Sequence, residues 1–431
     1  MSRPLPLLAI IAVTICLLLS RGAYAEEFPE PDKLPVIEKL PDPLVMRDGT
    51  RVTNAEDWNA KRKPELKRLF QHYMYGYFPE APKVSGTVIS EYSDALGGKA
   101  TLKQVSLSIG PADCPKVDLL LVIPNKRKDN RPPPVVLGLN FTGNHSVMND
   151  ARIKLPTSWM REGPGVEDHK ATEAGRGNAA DRWEIEHAID RGYAVATLHY
   201  SNISPDKPGL DEGVHACIPA VSGSDPTTTG WGAIAAWAWG LERAVDYLVT
   251  DPSIDAKRIV VFGHSRNGKA ALLAGAFDDR IAAIIAHQAG CGGSAPSRRK
   301  NPKGEPVTVI TKSFPHWFAG NFKKFGGQED RLPFDQHCLV AICAPRPVLF
   351  TNGDRDQWAD PPGQLDVLRA ASPVYRLLGV VGVPDDAQPE TAKRMGDRLC
   401  FYSRDVIHTV DKVYWDVFLD FADDQLSKGI K

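Results

Sequence analysis

The 431-residue chain carries almost no excess of either charge: 52 Lys and Arg stand against 53 Asp and Glu, a formal net charge of −1. Without a basic surplus there is no electrostatic case for nucleic acid as a main partner. Beyond the first 25 residues no stretch approaches the roughly 20 consecutive apolar residues of a spanning helix, which excludes a polytopic membrane protein. There is no Cys-x-x-Cys pair, no His-Glu-x-x-His and no tight His/Asp cluster. Zinc-ribbon, thioredoxin-like and zinc-protease readings therefore lack support, and neither a metal nor a cofactor is expected. Repeats and domain-separating low-complexity linkers are missing too. What is present is ordinary globular material, 42% apolar and 24% charged. The length exceeds the usual prior of about 100–200 residues per domain but suits one large α/β domain.

The N-terminus has its own logic. Arg3 is followed by an apolar run from Leu5 to Leu19, broken only by Pro6 and Thr14, and then by the small-x-small site Ala23-Tyr24-Ala25 before Glu26. This is the layout of a signal peptide over residues 1–25, with an apolar run short for a membrane anchor. Cleavage removes Arg3 and Arg21 and no acidic residue. The expected mature protein, residues 26–431, is exported to the periplasm or medium and free of the membrane. Six cysteines remain, Cys114, Cys217, Cys291, Cys338, Cys343 and Cys400. Export permits up to three bridges, but a domain this large needs none and the spacing fixes no connectivity. No coiled-coil pattern or exposed apolar stripe argues for an oligomer, so a monomer is expected.

Residues 26–45, rich in Pro and charge, read as an extended arm lying on the domain, and 56–78 as a helix ending at Tyr73, Tyr75, Tyr77 and Phe78. The segment 26–100 is thus an arm and helix packed on a catalytic domain. Strand-like runs follow at 103–109, 117–123 and 134–140, then alternate with helices: a helical stretch around 183–189, a strand at 193–199, a nearly all-apolar helix at 231–248, and strands at 258–262, 282–286 and 347–351. Short runs apolar on both faces suit a parallel sheet covered by helices. Val413, Tyr414, Val417, Phe418 and Phe421 recur at helical spacing in a terminal helix. The order predicts a three-layer αβα sandwich, mostly parallel with an antiparallel N-terminal edge. The polar region 141–191, with Gly175-Arg176-Gly177-Asn178, lacks the placement of a phosphate loop and reads as a surface insertion.

The chemistry concentrates after the strand at 258–262, in Gly263-His264-Ser265-Arg266-Asn267-Gly268-Lys269 and an Ala/Leu-rich helix over 270–276. Strand, Gly-flanked turn with Ser, and helix form a nucleophile elbow. The helix start aims backbone N–H groups and partial positive charge at a developing oxyanion. The competing reading is a serine that merely caps the helix. A serine nucleophile needs a base held by an acid. Of the histidines downstream, His287, His316, His337 and His408, the last stands just before the terminal helix, where this fold presents its base. The strand at 347–351 runs into a loop with Asp354, Asp356 and Asp360, and spacing does not choose among them.

Taken together, Tyr75-Gly76-Tyr77-Phe78-Pro79, Gly138-Leu139-Asn140-Phe141-Thr142-Gly143-Asn144-His145, the elbow with its Ser-Arg-x-Gly-Lys core, Gly290-Cys291-Gly292-Gly293, Ser313-Phe314-Pro315-His316-Trp317-Phe318 and Asp356-Gln357-Trp358-Ala359-Asp360-Pro361 resemble the bacterial glucuronoyl esterases of carbohydrate esterase family 15. The resemblance covers most of the mature chain. It implies an α/β-hydrolase that cleaves the ester between glucuronic acid of glucuronoxylan and alcohols of lignin. It further implies Ser265 as nucleophile, His408 as base, Arg266 at the oxyanion, and Lys269, Glu305 and Trp358 as sugar-binding residues. One departure bears on the acid. Some members place it ahead of the Gly-x-Gly-Gly, where this chain has Gln288. Alignment with Gln-Trp-Ala-Asp-Pro then points to Asp356, with Asp354 second. Rival readings are an esterase of the same fold acting on acetylated xylan or another carbohydrate ester, a non-catalytic carbohydrate-binding relative, and a secreted serine peptidase.

Overall fold

The computed structural model describes residues 28–127, 131–298 and 300–428; the expected signal peptide lies outside them. Among the described residues, no helix is long and apolar enough to cross a membrane.

Among the described residues ten strands form one sheet: β1 (Ser85–Asp94), β2 (Ala100–Ser108), β3 (Val117–Pro124), β4 (Val135–Asn140), β5 (Ala194–His199), β6 (Ile259–His264), β7 (Ala283–His287), β8 (Val348–Gly353), β9 (Met395–Gly396) and β10 (Leu399–Arg404). Their spatial order is β1-β2-β3-β5-β4-β6-β7-β8-β10-β9. The run from β5 to β10 pairs in parallel, and β1, β2, β3 and β5 pair antiparallel. This is the mostly parallel α/β sheet with an antiparallel N-terminal edge. A second antiparallel pair, β9 with β10, closes the other edge.

Every residue of β4, β5 and β7 is buried, because helices cover both faces. Alternate side chains enter different cores. Val135, Leu137, Val261 and Ile284 join one cluster, whereas Val136, Val260 and Ile285 join the other. The first layer is built by α1 (Lys63–Phe70), α2 (Ala233–Leu248), α3 (Arg266–Phe277), α4 (Gln336–Cys343) and α5 (Pro361–Leu377). The second is built by α6 (Lys412–Ser427), with the short helix Ile185–Asp190. Asp360 caps α5 by accepting from Gly363 N–H at 3.2 Å, and Asp411 caps α6. Within the N-terminal segment Leu34 and Leu44 are buried, and Ile37 N–H bonds Asp330 O at 2.7 Å.

Two expectations are corrected, and strands stand beyond those anticipated. A strand, β1, precedes those anticipated; it is polar and almost wholly exposed, so it carries no apolar run. The helical stretch around 183–189 is broken at Glu184, whose φ is +42°. β10 was not anticipated, although it leads into the His408 loop. Val413 sits outside the apolar stripe of α6 and is 45% exposed, while Tyr414, Trp415, Phe418 and Phe421 are buried. In the 141–191 insertion Arg176 is committed to structure, donating to Asp150 O and Ile153 O at 2.8 Å each.

The loop after β5 is fixed from two sides. Trp237 Nε1 of α2 donates to Ser204 O at 2.8 Å, and Gly240 leaves room for Ile203, whose Cδ1 would lie 2.2 Å from any added Cβ. A disulfide joins Cys114 to Cys217, tying the β2–β3 connection to the far end of this segment; Cys291, Cys338, Cys343 and Cys400 are buried free thiols.

Candidate active site

The elbow lies where β6 turns into α3. Ser265 has φ +58° and ψ −126°, a conformation costly for any residue with a Cβ. It occupies the N-cap position of α3 yet makes no side-chain cap hydrogen bond, which removes the helix-capping reading. The turn's glycines explain each other. A Cβ on Gly263 would lie 2.0 Å from Asn267 O, and one on Gly268 would lie 2.8 Å from Gly263 O. Contact at the third residue past the serine, rather than the second, accounts for glycine at 268. Asn267 turns back into the protein and donates to Leu139 O of β4 at 3.0 Å.

His408 stands on the loop between β10 and α6. Its Nδ1 lies 2.6 Å from Asp356 Oδ2. The Asp356 carboxylate is 8% exposed and the imidazole 42%, so a shielded anion holds a ring that reaches solvent. The other two aspartates of that loop are engaged elsewhere: Asp354 accepts from Thr391 Oγ1 at 3.2 Å, and Asp360 caps α5. The His408 ring packs against that of His264, the residue before Ser265, with centroids 4.6 Å apart. The base loop and the elbow therefore meet. His287 is a buried linker bonded to Thr351 Oγ1 and Thr409 O, and His337 bonds Pro41 O.

Arg266 reaches from the elbow to the loop after β5, where its Nη1 bonds Asp206 Oδ2. Its guanidinium carbon is 4.9 Å from the Trp317 ring and 5.6 Å from that of Phe314. Among the described residues its buried Nε has no hydrogen-bond partner. Asp206 is the residue the sequence reading missed. Its wholly buried carboxylate also accepts from His316 Nε2 at 2.9 Å and Trp317 Nε1 at 2.8 Å. Burial alone would raise its pKa, but these hydrogen bonds and the Arg266 charge prevail and hold it at about 2. An ion pair for Arg266 is thus present, with a partner 60 residues away rather than on the helix start. Nothing local in Ser204-Pro205-Asp206-Lys207 signals it.

Lys269 is 5% exposed; its Nζ donates to Ala289 O at 2.6 Å and also to Cys291 O. Burial lowers its pKa, opposed mainly by the Glu305 charge. Glu305 is pushed up by burial, opposed by Lys269 and by a hydrogen bond from Trp358. Glu305 N–H also donates to Trp358 O at 3.0 Å. Trp358 is 51% exposed, so it is no core residue. Lys269, Glu305 and Trp358 accordingly form one cluster of charge and aromatic surface. A hydroxyl on a strained turn, an imidazole bonded to a carboxylate and a guanidinium at a helix start are the groups that acyl transfer to serine needs.

This sheet, its covering helices and the serine turn at the end of a central parallel strand define an α/β-hydrolase. Residues 220–379 match the family model described as glucuronyl esterase, fungi. Carbohydrate esterase MZ0003, from an unknown prokaryotic organism, is 45% identical over 90% of this chain and 90% of its own length. Among solved structures, a promiscuous CE15 esterase from a marine bacterial metagenome is 45% identical and superposes with a TM-score of 0.83, covering 92% of this chain and 99% of that one. A glucuronoyl esterase from Solibacter usitatus is 40% identical, with a TM-score of 0.82 over 91% of this chain and 99% of that one. The chain belongs to the glucuronoyl esterases of carbohydrate esterase family 15, and it is a carboxylic ester hydrolase.

Proposed function

We propose that this enzyme, exported as a monomer after loss of residues 1–25, hydrolyses the ester joining glucuronic acid of glucuronoxylan, with or without a 4-O-methyl group, to lignin alcohols. Ser265 Oγ attacks the ester carbonyl while His408 Nε2 takes its proton, and Asp356 accepts from Nδ1–H and stabilises the imidazolium. The tetrahedral oxyanion is met by the Arg266 backbone N–H, which has no acceptor within its own helix, and by its guanidinium. Collapse breaks the C–O bond and His408 returns the proton to the leaving alcohol, leaving a glucuronoyl ester on Ser265. Water, deprotonated by His408, then attacks this ester and releases glucuronate.

The sugar is held by groups whose spare capacity fits it. Two of the three Lys269 donors are taken by carbonyls, so one remains for a sugar hydroxyl. Glu305 accepts from hydroxyls, and the exposed Trp358 face packs on a pyranose ring. The observation that carries the reading is the 2.6 Å His408–Asp356 bond on a loop stacked against the serine elbow.

The test is release of benzyl alcohol from benzyl glucuronate by the mature chain, beside Ser265→Ala and Asp356→Ala. Turnover by the wild type and its loss in both variants is the expected result. Loss in Ser265→Ala alone would move the acid away from Asp356. A wild type that ignores benzyl glucuronate but deacetylates xylan would overturn the substrate. That second reading has a basis, since a relative 45% identical is described as promiscuous.

A further inference from the structure

Gln288 follows β7 directly, is 1% exposed and has a left-handed φ of +48°. Its main-chain N–H bonds Thr351 O at 2.9 Å, which fixes the direction in which the side chain leaves. The side-chain amide then meets the main chain on both sides of His408. Oε1 accepts from Thr409 N–H at 3.0 Å, and Nε2 donates to Ile407 O at 3.2 Å. Because the first partner is only a donor and the second only an acceptor, the two ends of the amide are unambiguous. Oε1 also lies 3.0 Å from His264 Nε2, so the His264 proton sits on that nitrogen. Burial keeps His264 neutral, in keeping with a single ring proton.

The end of β8 is shaped for the same contact. A Cβ on Gly353 would lie 2.4 Å from Val406 O, 2.8 Å from Ile407 O and 3.1 Å from Gln288 Nε2. Glycine there lets the base loop close onto the amide. Gly353 O in turn accepts from Asp356 N–H at 3.0 Å, so the acid's loop starts from the same junction.

We propose that Gln288 is a positioning residue: its amide clamps the main chain on either side of His408 and, through His264, ties that loop to the serine elbow. The inference rests on the roles of Ser265, His408 and Asp356 given above. An amide is required because the clamp needs one donor and one acceptor. A glutamate keeps the acceptor but sets an oxygen against Ile407 O, and a methionine fills the space with neither.

The test compares Gln288→Met and Gln288→Glu with wild type and Asp356→Ala, using benzyl glucuronate turnover and amide hydrogen exchange at Thr409. Both Gln288 variants are expected to lose kcat on the order of 10- to 100-fold with KM within about twofold, the scale of a misplaced catalytic group. Gln288→Met is expected to lose protection at Thr409 while the sheet amides keep theirs. Wild-type kcat in both variants, or a rise in KM that accounts for the whole loss, overturns the clamp. So does unchanged exchange at Thr409 in Gln288→Met. Should Gln288→Met fail to fold, kcat and KM of Gln288→Glu decide. Full turnover in Asp356→Ala would instead refute the triad, whatever the Gln288 variants do.

Discussion

Asp206→Asn removes one buried charge beside Arg266 and almost no volume. In the wild type the carboxylate has no solvent exposure and takes hydrogen bonds from His316 and Trp317 beside the ion pair with Arg266. Asparagine keeps one acceptor oxygen and turns an NH2 group toward one of these donors. Removing one partner of a buried pair costs about 3 kcal/mol, less than the upper range because Arg266 retains 19% exposure. The pH dependence has a definite sign. A carboxyl held at about 2 rather than 3.8 contributes stability that is complete above the unfolded value and lost as pH falls through the folded one. That contribution is on the order of 2 kcal/mol. Urea unfolding of wild type and Asp206→Asn should therefore show a gap that is full at pH 6 and shrinks toward pH 3. In parallel kcat should fall about 100-fold, the cost of one displaced oxyanion donor, with KM little changed. A gap independent of pH, or kcat within twofold of wild type, would refute the reasoning.

Three further outcomes follow from separate parts of the molecule. Asp356→Asn leaves the imidazole without an anion, and kcat should drop by roughly 10⁴ with little effect on the urea midpoint; a loss below tenfold would place the acid elsewhere. Trp358→Ala removes an exposed aromatic face, so KM for benzyl glucuronate should rise about tenfold, as for the loss of roughly 1.4 kcal/mol of ring packing, and unchanged KM would exclude the residue from the sugar site. The Cys114–Cys217 bridge spans 103 residues. Replacing both cysteines with serine should cost on the order of 3–4 kcal/mol in urea unfolding, and an unmoved midpoint would show that the loop after β5 is held by packing alone.

The parts of this molecule that could be read from sequence are those whose cause is local. Strands β4, β6, β7 and β8 are short apolar runs because both faces are covered, and the elbow packs strand, turn and helix start into seven consecutive residues. β1 escaped notice because it is solvated on both faces, so no burial shaped its composition. The choice among Asp354, Asp356 and Asp360 lay beyond composition as well. It depends on where the 404–409 loop returns, which brings His408 Nδ1 to Asp356 while the start of α5 claims Asp360. Asp206 was hidden for a related reason: Arg266, His316 and Trp317 reach it from 60 or more residues away. Family resemblance proposed a role for Arg266, but the anchor that sets its guanidinium emerges only when the loop after β5 folds over α2.

The central claim is a glucuronoyl ester on Ser265. Wild type mixed with benzyl glucuronate, quenched in acid within milliseconds and digested, should yield a peptide containing Ser265 heavier by one glucuronoyl group, absent from Ser265→Ala. Rapid turnover by Ser265→Ala, or an adduct on any other residue, would contradict it.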